Sequence, residues 1–485
     1  MSVDEIQSEV EALASYELVR DSFGFITWEK DSNEHPRNWS TRRKLYDTTI
    51  VILLELYTTV ISTTGAAVAD AAGSEYGLDK VQGLLAFTLM YQIGQAIGGY
   101  LIPPFSELAG RWYPYIASAV FFSCFCIVVP SSATTVFIGR FITGVASAVP
   151  SVVIAGSVED LFNSRERVWI VVIWNAATTI ALCLGPIYAA YITEHCGWRW
   201  VYYSAGIGTG VLSLAVLGIK ESRPSILLKR KIERVREETA ITDLTWNNAD
   251  SASDWQSFLQ VVVVRPMHIL CTEPLVILVA IISGVSWGIV YLFTESTIDI
   301  YQSMGFSKTQ ASLPFLAVAF GVVLTFIPRI HDIKKMDRRR KASEGVVPED
   351  KIIGFSYAAP ILTIGLTWFA WTVPPVVTHL HWIIPTMALV PIGFAVNEIA
   401  YTLSSFLADS YLLYSASAFS GLAFVRAIIS GLMPLVAYFM YANLSSNLAG
   451  SVLAGISLLF CIAPWIFFRY SRRLREREAH SPLTV

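Results

Sequence analysis

The chain has 485 residues, 54% of them hydrophobic and only 15% charged, too apolar for a soluble protein of this length and too long for one bundle of four spans. The net charge of -3 says little, because the basic residues are sorted by side rather than gathered into a patch, and no nucleic-acid partner is expected. The six cysteines show no metal or disulfide spacing, and no nucleophile and base pair, metal cluster or phosphate loop speaks for an enzyme or for a cofactor.

Residues 1–44 are polar and mixed in charge, without an apolar h-region, so they read as a cytosolic tail and the first span as the insertion signal. Apolar runs then recur near 45–69, 82–104, 114–130, 134–158, 168–192, 200–219, 268–294, 308–328, 352–373, 381–405, 414–440 and 447–470. A hydrocarbon core of about 30 Å needs roughly 20 apolar residues as helix, and backbone in lipid must satisfy itself internally, so each run predicts a helix. The fold class is therefore an all-α polytopic membrane protein, twelve transmembrane helices in two six-helix halves, 45–219 and 268–470. Between them lies a loop, 220–267, and 471–485 form a tail. Basic residues crowd Arg37 to Lys44, Lys220 to Arg265, Arg329 to Lys351 and Arg469 to Arg477, whereas the opposite connections hold only Lys80, Arg199 and Lys308. The positive-inside rule puts both termini and the central loop in the cytosol. Pro224 to Thr239 has helical periodicity with a basic face, which fits either a helix lying on the membrane surface or a solvated linker. A weak repeat sets Val158 to Phe162 after the fourth span against Leu407 to Tyr411 after the tenth. Two such halves around a central cavity are the layout of a secondary transporter.

A charge at the bilayer centre costs at least about 2.5 kcal/mol and is kept where it faces a cavity or a partner. Glu55, Arg140, Glu273 and Arg426 fall inside predicted spans, with Glu398 nearer a cytosolic helix end. Glu55 shares a helical face with Thr59, Ser62, Thr63 and Ala66, a polar stripe that should line water or substrate. Burial disfavours the charged form of a carboxyl, so Glu55 is a candidate to take a proton on one side and release it on the other; pairing with an arginine or a hydroxyl is the alternative. Further candidates for a substrate surface are Gln92 and Gln95 in span two, Asn175 in span five, and Tyr291 beside Glu273 in span seven. Aromatics, amides and isolated charges suit an amphipathic organic molecule better than a sugar or a simple ion.

Several motifs stand in a definite order. They are Pro104-Phe-Ser-Glu107-Leu-Ala-Gly110-Arg111 after span two, Arg140-Phe-Ile-Thr-Gly144 in span four, and Gly185-Pro186-Ile-Tyr-Ala-Ala in span five. Gly197-Trp-Arg-Trp200, Glu273-Pro274, and Asp409-x-Tyr411 with Ser415 to Ala418 leading to Arg426 follow. From about Asn38 to Arg475 the chain resembles the major facilitator superfamily, and within it the fungal twelve-span drug:proton antiporters. Departures are Pro103 where a glycine is usual, Trp112 where a second basic residue is common, and Ala189-Ala190 where two glycines are usual. The resemblance implies the major facilitator fold and a role for Arg140 in proton transfer, with a structural clamp on backbone carbonyls as the alternative. It also implies a bend at Gly185-Pro186 that sets the gate, helped by Gly144, and a latch formed by Glu107, Gly110 and Arg111. Glu159 and Asp160, at the end of span four, are the natural partners of that arginine.

The resulting expectation is a proton-coupled efflux antiporter of the plasma or vacuolar membrane, monomeric in the lipid bilayer, whose partners are protons and a small amphipathic compound such as a drug, toxin or secondary metabolite. A polyamine or organic-cation exporter of the same fold is the alternative, with Glu55, Glu273 and Glu398 as cation ligands. A non-transporting receptor or scaffold has no need of a buried Glu55.

Overall fold

A computed structural model describes residues 13–22, 24–239, 244–246, 259–341, 349–411, 415–467 and 469. Residues 471–485 thus lie outside the described residues. The first half contains α1 (Thr41–Ser62), α2 (Gly65–Tyr76), α3 (Lys80–Ala109), α4 (Trp112–Ser131), α5 (Ala133–Leu161), α6 (Ser164–Cys196) and α7 (Arg199–Val216). After α8 (Pro224–Thr239) and α9 (Arg265–Thr272) come α10 (Pro274–Ser303), α11 (Lys308–Lys334), α12 (Glu349–Ala370), α13 (Ile383–Ser410), α14 (Ser415–Asn443) and α15 (Ser446–Phe467). An antiparallel hairpin, β1 (Leu18–Arg20) and β2 (Ile26–Trp28), precedes them, with Leu18 opposite Trp28.

Eleven of these helices are long and apolar enough to cross a membrane. The twelfth is α7, whose 18 residues reach about 27 Å. Its Tyr202, Ala205 and Thr209 are buried, while Ile207, Val211 and Leu214 stand 57%, 64% and 70% exposed along the other side, the side that lipid would cover. The first half packs around Phe87, Tyr91 and Tyr202, and the second around Phe293, Phe355 and Phe406, a core that Leu182 and Cys183 of α6 also join. The halves meet mainly where α3 packs on α14 and α6 on α11. The face bearing Arg37 to Lys44 and α8 is called the basic face below, and the face bearing Lys80 and Lys308 the opposite face.

Three spans differ from expectation. The first does not run through 45–69: α1 stops at Ser62, Thr63 caps it, and α2 starts afresh at Gly65. The fifth, where a bend is expected at Gly185-Pro186, stays in helix there, because α6 includes both residues. Proline has no N–H for the carbonyl four residues back, and the Thr63 hydroxyl donates to that carbonyl, Leu182, at 3.1 Å. Gly185 makes the approach possible, since a Cβ there would lie 1.9 Å from Thr63 Oγ1. The seventh span begins later than 268. Glu273 is extended, as a residue before proline prefers, and the long helix starts at Pro274.

The linker helix α8 packs one face against the N-terminal segment. Its Leu228, Ile232 and Val235 join Leu13, Leu18, Ile26 and Leu244 in a small core of their own. Ile26 N donates to Thr245 O at 2.8 Å, Trp28 Nε1 to Pro224 O at 3.3 Å and Tyr16 Oη to Glu238 Oε2 at 2.6 Å. A polar N-terminal segment thereby becomes a folded cap on the linker. Ile232→Ala should cost this cap about 2–5 kcal/mol and speed hydrogen exchange of the amides of residues 18–28 by at least about tenfold. Unchanged exchange would show that the hairpin holds without α8.

Candidate functional site

Between the halves lies a cavity of about 20 Å³ lined by Glu55, Thr59 and Ser62 of α1, Gln92 and Gln95 of α3, Ser151 of α5, Trp287 and Tyr291 of α10, and Arg426 and Ser430 of α14. A second space of about 30 Å³ adjoins it, sharing Glu55, Trp287 and Arg426 and adding Trp174 and Asn175 of α6. These spaces hold a water or two, not an organic molecule, so the conformation is occluded. Glu55 and Arg426 face each other across the boundary between the halves and attract. Thr59 and Thr178 line the space beside the Glu55 carboxyl. The Arg426 guanidinium lies 4.5 Å from the centre of the Trp287 ring. Polar atoms without partners ring the space: Glu55 Oε2, Gln92 Nε2, Trp287 Nε1 and Ser430 Oγ. Buried polar atoms are normally satisfied, so a group of unsatisfied ones on one cavity marks where a bound molecule or water would complete them.

Arg140 lies outside this lining. Its fully buried guanidinium donates from Nε to Phe87 O at 2.8 Å and from Nη2 to Ile61 O at 3.3 Å, and it sits 4.4 Å from the Tyr91 ring centre and 5.4 Å from that of Tyr202. Phe87 belongs to a π-helical turn in α3, and Ile61 to the last turn of α1. The residue ties the two helices together through carbonyls, and among the described residues no carboxylate pairs with it. Gly144, one turn on, brings α5 against α3: a Cβ there would lie 2.0 Å from Tyr91 O.

The cavity is closed above and below. Towards the opposite face, Ser62 Oγ and Tyr291 Oη are 2.7 Å apart, joining the halves. Beyond them Lys80 of the first half meets Glu295 of the second at 2.6 Å and Asp70 at 2.7 Å, and Lys308 Nζ reaches Ala67 O at 3.4 Å. Nearby, Arg199 and Trp198 of the Gly197-Trp-Arg-Trp stretch grip Glu75, holding its carboxyl below the usual range. Towards the basic face, Tyr100 donates to Val263 O and stacks edge-on with Phe424. Level with the cavity, next to Thr178, Thr179 donates to Asn397, which donates to Thr325 at 2.9 Å and ties the halves together there.

The model of the Major Facilitator Superfamily matches residues 50–430. The chain belongs to the Major Facilitator Superfamily. It is a multi-pass membrane transporter and not an enzyme, and the resemblance read from its motifs is confirmed at that level. Among its relatives are MFS transporter fsa7 of a Fusarium species, 28% identical over 93% of this chain and 89% of the relative, and Multidrug transporter TPO1_2 of Candida glabrata, 28% identical over 92% and 78%. The superfamily multidrug transporter FLU1 of Candida albicans is 27% identical over 92% of this chain and 74% of its own. Among solved structures, a D-xylose-proton symporter superposes with a TM-score of 0.60 at 15% identity, covering 87% of this chain and 96% of the symporter, a likeness of fold.

The superfamily's loop after the second span is buried at its centre. Arg111 Nε meets Asp160 Oδ2 at 3.1 Å, and Nη1 donates to Ser106 Oγ at 2.9 Å. Glu221, just before the linker helix, accepts from Arg111 N at 2.9 Å and Trp112 N at 3.1 Å. Gly110 has φ +96°, and a Cβ would strike Glu221 Oε2 at 2.3 Å, so only glycine fits. Glu107 is half-buried and adds to the negative field around Arg111. Of the two acids expected to meet that arginine, only Asp160 does; Glu159 pairs instead with Arg167 at 3.3 Å.

Thr59, Gln92, Gln95, Asn175, Tyr291 and Arg426 line the cavity with Glu55. Two expected lining residues do not. Glu273 lies in the break before α10, where its carboxylate accepts from Tyr411 Oη at 3.2 Å. Glu398 is sealed against Arg329, with Tyr357 Oη donating to it at 2.8 Å and the Arg329 guanidinium 4.0 Å from the Tyr401 ring centre. Sequence reasoning missed Trp287, Lys80, Glu295 and Arg329. Glu295 stands one residue beyond the predicted end of span seven, and Arg329 was counted among loop charges. If the Arg140 contacts matter as a clamp, Arg140→Lys should lower transport in proteoliposomes nearly as far as Arg140→Ala, roughly tenfold or more, since an ammonium cannot bridge both carbonyls and stack on Tyr91. Full activity of the lysine variant would mean that charge alone suffices.

Proposed function

We propose that this transporter is a proton-coupled antiporter that exports a small amphipathic organic compound, a drug, toxin or secondary metabolite, across the plasma membrane. The observation that carries the reading is Glu55, a carboxyl set into the cavity between the halves opposite Arg426, with Gln92, Trp287 and Ser430 offering unused polar atoms beside it. The names of the fungal relatives, two of them multidrug transporters, support the substrate class. The sorting of basic residues supports a cytosolic basic face with both termini on that side.

The chemistry follows from what one proton changes. A charged Glu55 attracts Arg426 across the boundary and accepts hydrogen bonds; a protonated one loses the attraction and becomes a donor. A proton arriving from the opposite face would thus weaken a contact between the halves and release a substrate held by the carboxylate. Loss of that proton towards the basic face would restore the site. A membrane potential contributes about 2.3 kcal/mol per charge per 100 mV, and each pH unit a further 1.4 kcal/mol or so. Indole, phenol and amide groups around a single acid and a single base suit a largely apolar molecule with a few hydrogen-bonding groups. The cation-exporter reading has less support, because Glu273 and Glu398 stand elsewhere and Arg426 offsets Glu55.

Glu55→Gln keeps the size and hydrogen bonds of the side chain but cannot titrate. In proteoliposomes it should stop uphill export of a neutral substrate under an imposed pH gradient while substrate exchange continues. A cation ligand would behave otherwise: the variant would bind cations weakly and still pump neutral compounds. Wild-type pumping of both kinds by the variant would remove Glu55 from the mechanism.

A further inference from the structure

A cavity of about 680 Å³ opens on the basic face, far from the transport site, between the N-terminal segment, the start of α1, the end of α7 and the linker helix α8. We propose that it binds the phosphorylated headgroup of an anionic membrane lipid. Its volume lies within the range of about 300–1,000 Å³ usual for small-molecule sites.

The walls supply the charge. Arg43, Lys220, Arg230, Lys231 and Arg234 line the cavity, against one acid, Glu34. Arg43 is held by Asp47 at 2.8 Å and Lys231 by Glu34 at 3.2 Å. Lys220, Arg230 and Arg234 form no ion pair among the described residues, although Lys220 lies within the field of Asp47, so the cations on this concavity outnumber the acids near it. On a convex surface such a group is simply solvated. Here it is gathered in a hollow whose floor is Lys231, 6% exposed and 5.2 Å from the centre of the Trp28 ring. Ser40, immediately before α1, also lines the hollow and makes no capping hydrogen bond, which leaves the positive end of that helix directed at it.

Position argues for a lipid as the source of the phosphate. Leu45 and Tyr46 on α1 and Leu214 and Leu217 at the end of α7 are exposed apolar side chains, the last of the lipid-facing surface, and they adjoin Arg43 and Lys220 on the cavity wall. Tyr46 Oη donates to Ala215 O at 2.9 Å, fixing the two helix ends side by side at that level. Trp39 beside the hollow is the kind of side chain that settles at a membrane interface. A headgroup entering from the adjoining leaflet would reach the cations while its chains lay along Leu45 and Leu214. It would also bridge the hairpin and α8 to both α1 and α7.

Purified full-length protein should be titrated with phosphatidylinositol bisphosphate in nanodiscs and, separately, with soluble inositol trisphosphate, with binding read by native mass spectrometry. Saturable binding of the lipid is expected. Joint substitution Lys220→Gln, Arg230→Gln and Arg234→Gln should weaken it by about tenfold to a hundredfold. Lys229→Gln, whose Nζ pairs with Glu233 at 3.9 Å outside the cavity, should leave it unchanged. Wild-type affinity in the triple variant would overturn the site, as would equal losses from Lys229→Gln. Binding of inositol trisphosphate without binding of the lipid would overturn the lipid source.

Discussion

Backbone carbonyls that have no water to turn to set the terms for the first half of this molecule. In hydrocarbon each unsatisfied group costs several kcal/mol, yet α1 ends in mid-membrane and α6 carries an internal proline. Thr63 and Arg140 answer both needs. The Thr63 hydroxyl takes up the Leu182 carbonyl that Pro186 leaves free, and Arg140 takes up Ile61 O together with Phe87 O from the π turn of α3. The break is therefore a satisfied joint. It holds Ser62 under Tyr291 and, two turns earlier, Glu55 towards Arg426. Arg140, which pairs with no carboxylate among the described residues, rests on two carbonyls and on the faces of Tyr91 and Tyr202, contacts worth about 2 kcal/mol each when desolvated, and its Nη1 has no hydrogen-bond partner there.

Access to the site requires the halves to separate at one face while the other stays shut, and the contacts that must break are unlike in kind. At the opposite face they are ionic: Lys80 between Asp70 and Glu295, over the hydroxyl pair Ser62 and Tyr291. At the basic face they are a tyrosine on a carbonyl and an aromatic edge contact. Exposed ion pairs contribute little. The Glu295 side chain is buried at 7% exposure, however, so parting Lys80 from it leaves a carboxylate needing water or a proton. Opening at that face is thereby tied to hydration of the same column that leads down to Glu55.

The spans, their grouping and the Glu55, Thr59 and Ser62 part of the polar stripe were legible because hydropathy and helical period are local properties of the chain, whereas Thr63 and Ala66 fall at and beyond the break and line no part of the cavity. Gln92, Gln95, Tyr291 and Arg426 followed, as polar residues on otherwise apolar faces. What was hidden depends on a partner far away in sequence. Nothing near Thr63 announces that it serves Leu182, and nothing near Arg329 announces Glu398, so the first was read as part of a continuous span and the second as a loop charge. Glu273 failed for the converse reason: an acid inside an apolar run looks buried until the following proline ends the helix there. The N-terminal hairpin escaped because short strands of mixed polarity gain stability only from the linker helix they cover.

The same dependence on distant partners decides which acid of the second half corresponds to Asp160. Local likeness set Val158 to Phe162 beside Leu407 to Tyr411, which points to Asp409. The pairing points elsewhere. In the first half a guanidinium just after the second span, Arg111, meets an acid at the end of the fourth, Asp160. In the second half the guanidinium near the end of its second span, Arg329, meets Glu398 within its fourth. The acid has moved about three turns into the helix, and its surroundings change with it. Asp160 is shared with Arg223 of the linker at 3.6 Å, whereas Glu398 is enclosed by Tyr357 and by an arginine packed on Tyr401. A pair that shares its acid with the linker can be loosened by movements of the linker. A pair sealed by tyrosines has no such handle, and breaking it would strand a charge at about 3–5 kcal/mol. The repeat thus supplies two clamps of one kind, one adjustable from the basic face and one fixed.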